Sequence, residues 1–545
     1  MRNRSSISHA RSRTELPKLL AAVLLTTVIA ALQRRFVLHA GGLWRDEANS
    51  ANLVALRDWW SIWEHARYDS FPLLWNALVW LLGNAGWTDD TSLRQAGLLM
   101  GWAQLAALWC AARVAAATAP LLALALYALS PSTIVYGSMF RGYGLSAAVF
   151  LLATAGLIHF LRSPTRSRAA VLALANIAAV QANFANGVLL AATHAAAALV
   201  FWPSAPHARR IWAGLAVAFG AATLSLGLSW HWIAYAFEVG SAEQRPVTLT
   251  GVARVWWESL GTALPAQFLL WLAALAIVVG GSARCLRSRA ASQPECVLAL
   301  AALIGLAGFL VYFRTIARLP SQEWHYFSLN ALLALAAEAN LAHLLVARPK
   351  TAQWFVLAML ASAAAVTAWQ DLPSTKVRAT NADLIAAAVA HEAAPTDLVV
   401  VAPWYCGISF GRYYRGQAPW MTLPDIPDRR FHYHLQIRAK IARGSQGIAA
   451  ERQRIEDTLQ SGHRVWLVGD LSAPPPGHPV PTMPPGPHPV TGWRAGPYLE
   501  AWEQEIAVLL REHATGIWAV ELPDTQPINR WENLRLTVIE GWRSH

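Results

Sequence analysis

Residues 41–60 read "GGLWRDEANSANLVALRDWW" and set two adjacent carboxylates, Asp46 and Glu47, directly after Arg45, a few residues beyond an apolar run. The pair is conspicuous because the chain carries so little charge. Of 545 residues, 55% are hydrophobic and 14% charged, against about 25% charged in an ordinary soluble domain. Two readings compete. Acids in the first turn of a helix "EANSANLVALRDWW" offset its dipole, an effect of about 0.3–1 kcal/mol. Alternatively, they are chemical groups at a lipid–water boundary, where charge is costly and marks a function or a partner. The choice depends on where the stretch lies relative to a membrane.

Long apolar runs recur down to about residue 370, the pattern of a polytopic membrane protein. The 27 tryptophans suit rings held at membrane interfaces. Four short loops, "LRSPTRSR" (161–168), "PSAPHARR" (203–210), "SARCLRSRAASQPE" (282–295) and "ARPK" (347–350), hold ten Arg/Lys and one acid. The positive-inside rule assigns all four to the cytoplasm. The N-terminus carries Arg2, Arg4, Arg11, Arg13 and Lys18 before "LLAAVLLTTVIAAL", and is expected inside, with an uncleaved first span. An even number of crossings then separates it from 161–168. Of the five apolar stretches between them, 71–86 is too short for the ~20 residues a span needs, so it is expected to lie on or partly in the outer face. Eleven spans follow, with residues 168–202 crossing twice around "NFANG". The N-terminus is expected in the cytoplasm and the C-terminus outside it. Residues 39–92, the turn near 137–142 and the segment near 317–325 then share the outer face.

Beyond residue 371 the pattern changes to strand-like "DLVVVAPWY", "HRVWLVGD", "GIWAVEL" and "LRLTVIEGW", separated by helical "NADLIAAAVAHEA" and "ERQRIEDTLQ". The expected organisation is a transmembrane domain over 1–370 and a soluble α/β domain over 371–545. The proline-rich "APPPGHPVPTMPPGPHP" within it is expected to be a loop, since proline denies the backbone its donors. The scattered cysteines, Cys110, Cys285, Cys296 and Cys406, indicate no disulfide framework. No glycine-rich phosphate loop and no HExxH is present. Nucleic acid is not an expected partner, because the basic residues sort into the cytoplasmic loops.

Four polar clusters meet on the outer face under this topology: Arg45-Asp46-Glu47; His65, Arg67, Tyr68 and Asp69; Tyr136, Arg141 and Tyr143; and Arg314, Arg318, Glu323, His325 and Tyr326. Arginine grips phosphate through a planar fork that donates in pairs. A carboxylate among arginines at a membrane edge therefore suits a reaction on a lipid-linked phosphate. The plainer readings are snorkelling for Arg141 and Arg314 and structural roles for His65 and His325; "FHYH", with His432 and His434 two apart on an isolated segment, is a weak signal for a metal.

Taken together, "LWRDEANSANLV", "YDSFPLLWNALVWLLG" and "TSLRQAGLLMGWAQLAALWCAARV", the last with Arg94, resemble the N-terminal half of the GT-C membrane glycosyltransferases. The resemblance is to the protein O-mannosyltransferase and lipid A aminoarabinose-transferase-like superfamily (glycosyltransferase families 39 and 83), and extends loosely to about residue 346. It implies a GT-C fold of about 11 transmembrane helices with a C-terminal α/β extracytoplasmic domain, in the bacterial inner membrane. It also implies an inverting enzyme that takes a sugar from a polyprenyl-phosphate carrier and gives it to a glycan, lipid or protein acceptor. Asp46 matches the family's general base. Glu47 is then its neighbour, orienting the loop or a divalent cation, the one cofactor the resemblance admits. Arg141 and Arg314 or Arg318 match the cations that hold the departing phosphate, and Arg45, Tyr68, Asp69, Tyr143, His325 and Tyr326 complete the expected substrate site. Departures are the single Pro72 in "SFPLLW" and His325-Tyr326 where many members carry Arg-Tyr. The alternatives are a transporter or flippase of a lipid-linked or anionic substrate, and a non-catalytic GT-C-like scaffold.

Overall fold

The computed structural model describes residues 3–201, 207–243, 247–287, 294–346, 348–475, 478–523 and 526–544. Parts of the expected cytoplasmic loops 203–210, 282–295 and 347–350 lie outside the described residues, as does a piece of the proline-rich loop.

Among the described residues, eight helices are long and apolar enough to cross a membrane: 16–39, 90–116, 143–162, 208–239, 265–287, 294–317, 323–346 and 350–376. The chain is thus a multi-pass membrane protein. The other three expected spans are also helical. The expected double crossing is a hairpin of Arg166–Ala182 and Asn186–Val200, only 17 and 15 residues long, turning at Asn183–Ala185. Residues 118–136 are broken into Leu121–Ala123, a π-helical turn over Leu124–Ala128 and Pro131–Tyr136. Pro131 has no N–H with which to continue the preceding ladder, so the helix restarts there. Glu338 caps the start of this broken segment by accepting the N–H groups of Leu122 (2.7 Å) and Ala123 (3.1 Å), and Lys18 neutralises it at 2.8 Å.

The first helix, α1 (Asn3–His39), leads into a segment that carries α2 (Arg45–Val54), α3 (Trp59–His65) and α4 (Leu73–Asn84), before α5 (Asp90–Ala116). At 12 residues α4 is too short to span ~30 Å at 1.5 Å per residue.

One expectation is corrected. Cys285 and Cys296 form a disulfide, with Cα atoms 5.6 Å apart. The helices Pro265–Arg287 and Pro294–Val311 end beside each other, a proximity that the spacing of two cysteines in a chain does not reveal.

The C-terminal sheet has five strands: β1 (Leu398–Ala402), β2 (Trp420–Thr422), β3 (Val465–Gly469), β4 (Gly516–Ala519) and β5 (Leu536–Glu540). Their order is β2-β1-β3-β5-β4, with β1 parallel to β2 and β3, and β5 antiparallel to β3 and β4. Both faces of β1 and β3 are covered, which is why "LVVVA" and "VWLVG" are apolar at every position. Val399, Val401, Trp466 and Val468 pack with Ile385 and Phe410 on one side. Val400 and Leu467 belong with Ile455, Leu459 and Ile506 to the core on the other. The short β2 and the helix Ala495–His513 were not legible as elements in the sequence.

Candidate active site

The two carboxylates at the start of α2 part company. Glu47 is fully buried and turned inward. Its Oε1 accepts from Arg94 Nη1 (2.5 Å) and from the N–H of Phe140 (2.8 Å), while Oε2 takes the N–H of Trp44 at the start of α2 (3.4 Å). Arg94 also donates to the carbonyl of Gly42 at 2.6 Å. Glu47 is therefore both the helix cap and a rivet joining α2, α5 and the 137–142 turn. Burial raises its pKa, and Arg94 and the two N–H groups oppose that. These contacts engage both of its oxygens, and among the described residues no three His, Cys, Asp or Glu side chains come together as a metal-ligand set. The donor set around Glu47 does not fit a divalent cation.

Asp46 faces the opposite way, toward the C-terminal domain. Its Oδ1 stands 3.3 Å from Arg45 Nε and 3.5 Å from His432 Nε2. Burial works to raise its pKa, but His432 and the charges of Arg45 and Arg141 outweigh burial and hold the carboxyl well below the usual range. Burial also depresses the His432 imidazole, with Asp46 opposing. The ring of His432 lies 5.9 Å from His434 and 6.3 Å from Trp404. The C-terminal domain thus reaches the loop that carries the family-like motif. Arg45 closes the other side, its guanidinium 4.5 Å over the Tyr405 ring and its backbone N–H bonded to Glu532 (3.0 Å).

Several connections hold this seam in register. Arg412 pairs with Asp90 at 2.5 Å, and the Tyr413 hydroxyl donates to the same carboxylate while accepting the N–H of Leu43. Arg530 pairs with Glu323 (2.7 Å), and Trp531 Nε1 donates to the Tyr136 hydroxyl (3.0 Å).

The remaining expected residues fall into three groups. Asp69 and Arg141 are brought together and buried: Arg141 Nη1 lies 2.6 Å from Asp69 Oδ1, 2.7 Å from Ser50 Oγ and 3.0 Å from the Asp46 carbonyl. Asp69 also accepts from Ser50 (2.7 Å) and Trp75 (3.1 Å). Arg141 thus braces the backbone of Asp46, with Phe71 and Tyr143 against its guanidinium at 4.8 and 5.8 Å. His325 stacks on Phe313 at 5.4 Å, and Tyr326 is buried with its hydroxyl on the carbonyl of Val252. Trp324, just before them, packs on Trp44 at 5.6 Å. Arg314 and Arg318 are exposed, and no described contact joins them to Asp46.

Tyr68 belongs to an aromatic cluster next to α2, which its carbonyl meets through Asn49 (3.3 Å). Its ring packs on Tyr433 (4.3 Å) and Tyr235 (5.3 Å), and Arg67 lies over both Tyr68 (5.0 Å) and Tyr235 (5.8 Å). Arg67 Nε and the Tyr235 hydroxyl are buried donors without a hydrogen-bond partner among the described residues. Both groups keep hydrogen-bonding capacity that the described side chains do not use. His432 and Tyr235 carry no sequence motif that would have singled them out as partners of Asp46 and Arg67.

No protein-family model matches the chain, and no curated protein does. Solved structures do match. ArnT from Cupriavidus metallidurans in the apo state agrees with TM-score 0.52 at 15% identity, over 95% of this chain and 97% of that one. The same protein bound to undecaprenyl phosphate gives 0.48 at 16% identity over the same shares. An Archaeoglobus fulgidus oligosaccharyltransferase tethered to an acceptor peptide containing the NVT sequon gives 0.50 at 11% identity, over 82% of this chain and 69% of that one. Identities this low speak to architecture alone. In its fold, the chain is a multi-pass membrane protein built as ArnT and the archaeal oligosaccharyltransferase are built.

Proposed function

We propose that the protein is an inverting glycosyltransferase of the bacterial cytoplasmic membrane, moving a sugar from a polyprenyl-phosphate carrier to an acceptor hydroxyl on the outer face. The observation that carries this reading is the Asp46–His432 pair, a carboxylate and an imidazole 3.5 Å apart at the seam between membrane and soluble domains. The acceptor oxygen attacks the anomeric carbon, its proton passes to the Asp46–His432 pair, and the bond from that carbon to the phosphate oxygen breaks. A carboxylate held far below neutral pH is a weak base alone. Shared with an imidazole, the proton belongs to the pair. Glu47 and Arg141 position Asp46 rather than touch substrate.

The departing phosphate needs cations where its charge grows. Arg67 and the Tyr235 hydroxyl, with their unused donors, suit that task. Arg314 and Arg318 are exposed and free to approach a lipid headgroup. The likeness to ArnT, which has been solved with undecaprenyl phosphate, supports this class of donor.

The test is turnover of a polyprenyl-phosphate sugar by purified protein. Asp46→Asn is expected to lower release of polyprenyl phosphate at least a hundredfold while thermal unfolding stays unchanged; normal turnover in that variant would remove Asp46 from the chemistry. The orientation is tested separately, in a Cys110→Ser background. An impermeant maleimide is expected to label Ser461→Cys in spheroplasts and Ser167→Cys only after permeabilisation. The reverse pattern would invert the topology.

A further inference from the structure

The strand order 2-1-3 places β1 at the centre of the parallel part of the sheet, with the connections after β1 and after β3 running to opposite sides. At such a switch point the loops after the two neighbouring strands diverge, and a crevice opens outside their carboxyl ends. The crevice is present here, with a volume of about 430 Å³, within the range of small-ligand sites. Its floor is the end of β1 at Ala402 and the end of β3 at Gly469. Gly469 has φ +100°, and a Cβ there would lie 1.7 Å from the Ala402 carbonyl, so only glycine lets the two strand ends approach this closely.

The crevice adjoins the candidate active site. Tyr405 and Glu532 line it, and these are the residues that receive the Arg45 guanidinium and the Arg45 backbone N–H. Arg45 in turn touches Asp46. A ligand seated there is one side chain away from the proposed base, and Arg45 is the partition.

The lining indicates what that ligand is. Tyr405 and Trp531 offer aromatic faces, and Asp470, Glu500 and Glu503 offer carboxylates. The cation of Arg530 is already paired with Glu323. Carboxylates accept hydrogen bonds from hydroxyls and repel phosphate, while aromatic rings cover the apolar faces of a sugar ring. We infer that the switch-point crevice of the C-terminal domain binds the acceptor, and that its ligand is an uncharged, hydroxyl-rich sugar unit rather than a phosphorylated one. This rests on the glycosyl-transfer reading above and adds to it the acceptor's site and class.

Saturation-transfer NMR on the full-length protein in nanodiscs tests it, with methyl glucoside, methyl galactoside and methyl mannoside as probes and glucose 6-phosphate as the anionic comparison. Gly496 lines the crevice and a Cβ there meets nothing within 4 Å, so Gly496→Trp adds bulk at its wall; Glu503→Gln serves should that variant not fold. Wild type is expected to transfer saturation to at least one neutral glycoside more strongly than to glucose 6-phosphate. Gly496→Trp or Glu503→Gln is expected to weaken that signal at least fivefold. Transfer to none of the three glycosides, preference for glucose 6-phosphate, or a signal indifferent to both substitutions would overturn the proposal. Asp46→Asn is expected to keep the glycoside signal while losing turnover, so failure of the crevice and failure of the catalytic assignment give different results.

Discussion

The amide oxygen of Asn49 accepts the backbone N–H of His432 at 3.2 Å, joining residues 383 positions apart in the chain. Asn49 lies on α2 one turn beyond Asp46, and its amide nitrogen donates to the carbonyl of Tyr68 (3.3 Å). One buried side chain therefore sets the spacing between base, imidazole and the Arg67–Tyr68 wall. Asn49→Ala leaves the part-buried N–H of His432 without this partner, at a cost of about 1 kcal/mol. Because the loss falls on the position of His432, turnover is expected to drop tenfold or more in protein that still folds. Steady-state kinetics beside a thermal melt checks this, and unchanged kinetics would detach His432 from the mechanism.

His432 supplies a pH signature. Its pKa lies below the ordinary 6.5 because burial disfavours the cation. The neutral form that can accept a proton thus predominates at pH 7 and is lost only as pH falls further below 6.5. Asp46, held lower still, stays ionised throughout that window. The acid limb of kcat/KM is expected to belong to the imidazole and to vanish in His432→Gln, at a much reduced plateau. An acid limb unaltered in that variant would assign it to another group.

Glu47 and Arg94 form a buried ion pair with side chains 0% and 5% exposed. Removing one partner strands the other charge, a loss of about 3–5 kcal/mol. Arg94→Met and Glu47→Gln are each expected to lower the unfolding midpoint sharply, and the double variant by less than their sum. Additive losses in a double-mutant cycle would show the two act independently.

Glu532 links stability to pH through the same seam. Burial raises its pKa from 4.5 to about 7, against hydrogen bonds from Ser409 and the Arg45 N–H. The folded state then binds a proton that the unfolded chain has released between these values. The stabilisation is complete below pH 4.5 and is lost as pH rises to about 7, a change of ~3 kcal/mol at 1.36 kcal/mol per unit. Glu532→Gln is expected to flatten the pH dependence of unfolding across this interval. A slope of the opposite sign in wild type would refute the assignment.

The legibility of the fold differs by element. The membrane helices were readable because each must be apolar over its whole length, and the shorter apolar stretch 71–86 folds as the 12-residue α4. β1, β3, β4 and β5 were readable from short apolar cores between turns. The three-residue β2 offers too little pattern, and the helix Ala495–His513 follows a proline-rich loop that obscures its start.

The sequence by itself determined that the chain is a multi-pass membrane protein with an α/β domain, and that "WRDE" lies between apolar segments with acids in an unusual place. Hydropathy, loop charge and local motif decide such things, since each is a property of neighbours in the chain. Only the tertiary structure decided which acid faces which way. Successive residues of a helix point about 100° apart, so Asp46 and Glu47 meet different surroundings. Arg94 and the Phe140 N–H, 47 and 93 positions away, claim Glu47, while His432 from the far domain meets Asp46.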